Sequence, residues 1–138
     1  MESPEAAEAA FYAAFASLNL QAMKSVWAEG ADCLCIHPAS MPIAGYVAIM
    51  ASWADILGGN QSVELQCEPI SRLHGPDSMV STVYEHFKPA GVTAALAPVL
   101  ATNVYRLLGG QWKLVVHHAS PVVREVQSGR DPTSQTKH

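Results

Sequence analysis

The sequence predicts an α+β domain: three N-terminal helices laid across a curved antiparallel sheet that bends around a concave pocket. Three observations predict it. Apolar residues recur at helical spacing as far as Leu57. After Gly59 the period changes to two. The turn signals Gly75-Pro76-Asp77, Pro89-Ala90-Gly91 and Gly109-Gly110 then divide the remainder into four strands.

The first helix starts at a clear signal. Ser3 is a capping residue, Pro4 suits the first helical position, and Glu5 complements the dipole. Phe11, Phe15 and Leu18 follow at i, i+4 and i+7, with Tyr12 at the edge of that stripe. Asn19 caps a second helix whose apolar face carries Leu20, Met23 and Trp27, and Gly30 is placed to end it. Residues 32–37 read as a short strand stopped by Pro38. Residues 39–42 form a loop. Tyr46, Ile49, Met50, Trp53, Ile56 and Leu57 mark a third helix closed by Gly58-Gly59, with no evident N-cap.

Val63, Leu65 and Cys67 then alternate with polar residues, as in a half-buried strand. Further strands are expected over 79–88, 98–108 and 111–120. Helices first and a meander afterwards place the helices on one face of the sheet. A strongly bent sheet with helices across its mouth leaves an end cavity of the kind that takes small ligands.

Composition narrows the function. The chain has 138 residues, enough for one core. That single domain is expected over 1–125, followed by a mobile polar tail over 126–138. With 49% apolar and 14% charged residues, disorder is excluded over most of the length. A net charge of −4 and the lack of any Lys/Arg run exclude a nucleic-acid footprint and an anionic membrane surface. The N-terminus lacks a signal-peptide pattern, and no segment is long and apolar enough to span a membrane, so a cytoplasmic location is expected. Cys33, Cys35 and Cys67 read as small buried hydrophobes in a reducing compartment.

Several segments carry a family resemblance. They are Trp27-Ala28-Glu29-Gly30-Ala31-Asp32, His37-Pro38, Gly45 and Trp53, then Thr102-Asn103-Val104-Tyr105, Gly110-Gln111-Trp112 and His117-His118-Ala119-Ser120-Pro121. Together they resemble the SnoaL-like proteins of the nuclear-transport-factor-2-like superfamily, which also holds ketosteroid isomerases and polyketide cyclases. The resemblance spans roughly residues 4 to 122 and implies a cystatin-like α+β roll with a cone-shaped pocket. It also implies a homodimer formed through the outer sheet face. The isomerases' carboxylate base matches His37 here, their helix-one oxyanion tyrosine matches Tyr12, and their second oxyanion donor matches Asn103.

Chemistry fits these types. Histidine exchanges a proton near neutral pH, which suits a general base at a strand end. An Asn amide and a Tyr hydroxyl are uncharged donors, as a developing enolate oxygen requires. Each also has an ordinary use: His37 as a loop cap, Asn103 as a core amide between strands, Tyr12 as a packed aromatic. Trp27 and Trp53 are expected as core and pocket wall. His117 and His118 are neighbours on a strand and point to opposite faces. Counting parity from Leu114 and Val116 turns His118 inward to the pocket and His117 outward. Cys33, Cys35 and His37 share one strand face, but side chains two apart on a flat strand sit nearly 7 Å apart, too far to wrap one metal. No metal and no cofactor is implied.

The expected function is therefore a pocket for a small apolar or polyketide-like molecule, with isomerase- or cyclase-like proton transfer on a carbonyl compound. The alternative is a non-catalytic binding protein or a dimeric assembly module.

Overall fold

Both early caps form as their side chains dictate. Ser3 Oγ accepts the Ala6 N–H at 3.0 Å and opens α1 (Pro4–Ala16). Asn19 Oδ1 accepts the Ala22 N–H at 3.0 Å and opens α2 (Leu20–Val26). Each cap satisfies a donor that the helix cannot, worth about 1 kcal/mol. The coordinates are a computed structural model and describe residues 1–30, 32–59, 63–89, 91 and 96–123. The polar tail expected over 126–138 lies outside the described residues.

The remaining elements are β1 (Leu34–Ile36), β2 (Ile43–Ala44), α3 (Tyr46–Gly59), β3 (Val63–His74), β4 (Ser78–Pro89), β5 (Val99–Leu108) and β6 (Gln111–Pro121). They build one six-stranded sheet in the order β2-β1-β6-β5-β4-β3. The last four strands are the expected antiparallel meander. β1 joins it in parallel with β6. The Gly109-Gly110 turn carries φ of 56° and 82°, the left-handed pair that a two-residue hairpin needs.

Two local readings yield to tertiary pairing. Trp27 is not on the α2 face. It is the helix's C-cap with extended backbone, and it bridges to Leu114 at the sheet. The Ala28 N–H donates to Leu114 O at 3.0 Å, so the helix stops at Val26, well before Gly30. Between the 39–42 loop and α3 lies β2, which pairs with β1. α3 has no side-chain cap. Its first N–H, from Tyr46, donates to Gly30 O at 2.9 Å.

A bulge decides which residues of β6 face inward. Val104 pairs with Val116 and Tyr105 with Leu114, which leaves Val115 extra. Such an insertion reverses the alternation beyond it. Trp112 and Leu114 are buried before the bulge, and His117 and Ala119 after it. The inward and outward histidines are therefore the reverse of the parity reading: His117 is 1% exposed and His118 lies on the outer face. A second irregularity between Pro69 and Ser71 turns Arg72 and His74 towards the helices, opposite Ser81 and Met79.

The core lies between the helices and the inner sheet face. Phe11, Trp27 and Trp53 are fully buried there with Met79, Val83, Ala101 and Tyr105. No described helix is long and apolar enough to cross a membrane.

Candidate functional site

The inner sheet face is not wholly apolar. Glu8, His37, Ser81, Glu85, Asn103 and His117 are buried between it and the helices. Alternation places them: Ser81, Val83 and Glu85 share the inward side of β4, and Ala101, Asn103 and Tyr105 that of β5. α1 lies across them and delivers Glu8 and Tyr12, one helical turn apart.

Four side chains form one hydrogen-bonded row. The Tyr12 hydroxyl donates to Glu85 Oε2 at 2.6 Å. Asn103 Nδ2 donates to the Tyr12 oxygen at 2.9 Å. Asn103 Oδ1 thus remains the acceptor, and His117 Nδ1–H donates to it at 2.6 Å. Every donor in the row points towards the Glu85 carboxyl. The same geometry leaves His117 Nε2 as the lone-pair nitrogen.

Burial sets the charge of the row. It pushes Glu85 up to about 7, with the Tyr12 hydrogen bond opposing. It lowers His117 to about 3, so this ring is neutral, with His37 and His118 adding in the same direction. Burial also holds the Tyr12 phenol protonated, and the neighbouring Glu85 charge reinforces it. An unpaired charge is costly in such surroundings, and each group favours its neutral form.

His37 stands beside the row. Its ring is 6.4 Å from that of His117 and 4.9 Å from Trp53, edge to face. The Ser52 hydroxyl donates to Ile49 O at 2.7 Å, so Ser52 Oγ accepts from His37 Nε2–H at 2.9 Å. That assigns the proton to Nε2 and leaves Nδ1 as the basic nitrogen. Burial lowers the pKa of His37 below its ordinary value. Cys35 Sγ lies 3.6 Å from Nε2. Burial pushes that thiol up to about 12, and the Glu85 charge adds to it.

The structure thus brings Tyr12, Asn103, Trp53 and His37 together around His117. Trp27 is one ring removed, packed on Phe11 at 6.4 Å. His118 is not part of the site; it pairs with Thr102 and Ile36 on the outer face. Glu85 and His117 were absent from the predicted set. A signal for Glu85 exists in the sequence, since it shares strand parity with Met79, Val83 and Phe87. Among the described residues no group of three His, Cys, Asp or Glu side chains could hold a metal ion.

The second buried carboxylate has a different setting. Glu8 Oε1 accepts from Arg72 Nη2 at 2.8 Å, Arg72 Nε at 3.2 Å and Ser81 Oγ at 3.0 Å. Its Oε2 accepts from the Tyr105 hydroxyl at 3.2 Å. This cluster ties α1 to β3, β4 and β5.

Three helices on the inner face of a curved sheet, antiparallel except where β1 meets β6, with a buried polar row between them, define a nuclear-transport-factor-2-like domain. Within that class the chain belongs to the SnoaL-like family, whose domain model matches residues 5–124. A solved structure from Thiobacillus denitrificans, assigned to the calcium/calmodulin-dependent protein kinase type II association domain, is 38% identical. That alignment covers 89% of this chain and 98% of the other, with a TM-score of 0.86. A Streptomyces avermitilis protein of the NTF2-like family, named as a dehydratase, is 27% identical with a TM-score of 0.77. It covers 87% of this chain and 94% of its own. The F-box protein SKIP8 of Arabidopsis thaliana is 26% identical over 117 residues, 85% of this chain. The chain spans about half the length of that curated relative, 48%.

Proposed function

We propose that the protein binds a small, carbonyl-bearing organic molecule and moves a proton on it, in the manner of an isomerase or cyclase and without a cofactor. His37 is the base through Nδ1, Tyr12 and Asn103 polarise the oxygen once the Tyr12 hydroxyl turns from Glu85 to the ligand, and Trp53 forms the wall. One observation carries this reading. Tyr12 and Asn103, distant in sequence, meet at 2.9 Å on the buried face, with His37 across the Trp53 ring. Uncharged donors and a nearby imidazole are what enolate chemistry needs.

A thermal-shift titration with planar phenols and naphthols tests it on wild type and His37→Ala. At a hundredfold excess over Kd, the expected stabilisation of wild type is about 2.7 kcal/mol. His37→Ala should lose most of it. Folded wild-type protein that responds to none of these compounds would retire the pocket reading.

A second reading, a homodimer that serves assembly, rests on the outer sheet face. Leu73, Val80, Val104, Val116 and Leu34 pair in register across five strands there. Leu73 is 66% exposed, and a continuous apolar row of this kind is characteristic of an interaction surface. Sedimentation should then show a dimer for wild type and a monomer for Val104→Glu. A monomeric wild type at tens of micromolar removes this reading.

A further inference from the structure

His37 is held from three directions. Its backbone is fixed first. The Ser40 N–H donates to His37 O at 3.0 Å and closes a turn through Pro38 and Ala39. Ala39 takes φ of 58° in that turn, a left-handed conformation that a residue with a Cβ adopts only at a cost. Such strain persists where the surroundings impose it, and it clusters around functional groups.

Helix α3 supplies the other two holds, from the consecutive residues Ser52 and Trp53. The fully buried Trp53 packs against the imidazole at 4.9 Å and 82°. Ser52 Oγ meets Nε2 at 2.9 Å. The Ser52 hydroxyl has a single proton and donates it to Ile49 O at 2.7 Å, which makes its oxygen a better acceptor. The row from His37 Nε2–H through Ser52 Oγ to Ile49 O therefore runs in one direction. Cys35 Sγ also lies near the ring, 3.6 Å from Nε2 and 3.9 Å from Nδ1. It stands almost equally close to both nitrogens and does not choose between them, whereas the Ser52 hydrogen bond is made to Nε2. Among the described residues no carboxylate charge acts on the ring, whose pKa is lowered by burial. A carboxylate in the place of Ser52 would favour the imidazolium; a hydroxyl orients the ring and leaves it neutral.

We propose that Ser52 is the positioning residue of His37: it fixes the Nε2–H tautomer and so makes Nδ1 the nitrogen that takes the ligand's proton. The assignment rests on the reading of His37 as a base given above and adds to it the residue that decides which nitrogen is basic. Ser52 touches no reacting atom and acts through His37. In the step itself a proton passes from a ligand carbon to Nδ1, and the electron pair of that C–H bond moves to the carbonyl oxygen as an enolate. The Nε2–H bond to Ser52 then strengthens, because a charged donor binds the same acceptor more tightly.

Nitrogen-15 NMR of the histidine rings tests this, since a ring nitrogen with a proton and one with a lone pair resonate far apart. The proteins are wild type, Ser52→Ala and Ser52→Thr at pH 8, with His37→Ala to identify the His37 signals among those of the six histidines. Alanine suits a helix, so Ser52→Ala should fold and melt near wild type. Wild-type His37 should be the Nε2–H tautomer. Ser52→Ala should show a mixture with the Nδ1–H form, and Ser52→Thr, which keeps a hydroxyl able to bond the preceding turn, should restore the wild-type tautomer. Titrated with 2-naphthol, Ser52→Ala should bind roughly fivefold more weakly than wild type, and Ser52→Thr like wild type. Wild type in the Nδ1–H form, or Ser52→Ala that keeps the wild-type tautomer, overturns the assignment; if wild type still binds 2-naphthol, His37 stands as the base and the Ser52 proposal falls alone. If the tautomers respond as expected but folded wild type ignores 2-naphthol, the Ser52 hydrogen bond is a structural tie, and the positioning role falls together with the reading of His37 as a base.

Discussion

Glu8→Ala is expected to cost about 3 kcal/mol of stability, the lower part of the range for breaking a buried ion pair. The lower part applies because the Arg72 side chain is 33% exposed and partly screened, whereas Glu8 is 3% exposed. The substitution strips Arg72, Ser81 and Tyr105 of one common acceptor. Ser81 and Tyr105 are both fully buried, so their hydroxyls cannot turn to water. Melting should fall by roughly 10 °C for a domain of this size. Glu8→Gln keeps an acceptor and loses the charge, so it should recover part of the loss. A Glu8→Ala protein that melts within about 2 °C of wild type would show that α1 is not fixed to the sheet through this cluster.

That cluster also shows what a sequence reading reaches. The caps at Ser3 and Asn19 and the hairpin at Gly109-Gly110 depend on neighbours in the chain and are legible, whereas Leu18 and Trp27, at the ends of the first two helical stripes, lie beyond α1 and α2. Tyr12, His37 and Asn103 were picked out through family resemblance, and they do share one buried region. The side of the sheet taken by His117 and His118 was not legible. It depends on one unpaired residue, Val115, which is set by how β6 packs against β5. Trp27 was misplaced for a similar reason, because its backbone answers to Leu114 rather than to α2. Glu85 had a parity signal but no partner in view. Its meaning came only when Tyr12, 73 residues away, closed on it.

Glu85 and His117 should impose opposite pH dependences on stability, and single substitutions should unmask each. The folded pKa of Glu85 is raised from 4.5 to about 7. Between these values the folded state holds a proton that the unfolded state has lost. Stability therefore falls as pH rises through this window, by about 1.4 kcal/mol per unit. The folded pKa of His117 is lowered from 6.5 to about 3. Between these values the unfolded state holds the extra proton, so stability rises with pH by the same amount per unit. The windows overlap from pH 4.5 to 6.5, where the two slopes cancel. His37, lowered in the same direction as His117, tilts the balance slightly towards greater stability at higher pH. Glu85→Gln removes the falling slope. Its stability relative to wild type should rise by about 3 kcal/mol from pH 4.5 to 6.5. His117→Gln keeps a donor for Asn103 and removes the rising slope, so its stability relative to wild type should rise by a similar amount as pH falls over the same range. Thermal melts of the three proteins at pH 4.5, 5.5 and 6.5 read both differences directly. Parallel curves for Glu85→Gln and wild type would mean that Glu85 titrates as an ordinary carboxylate. The polar row would then be a structural tie with no proton to exchange.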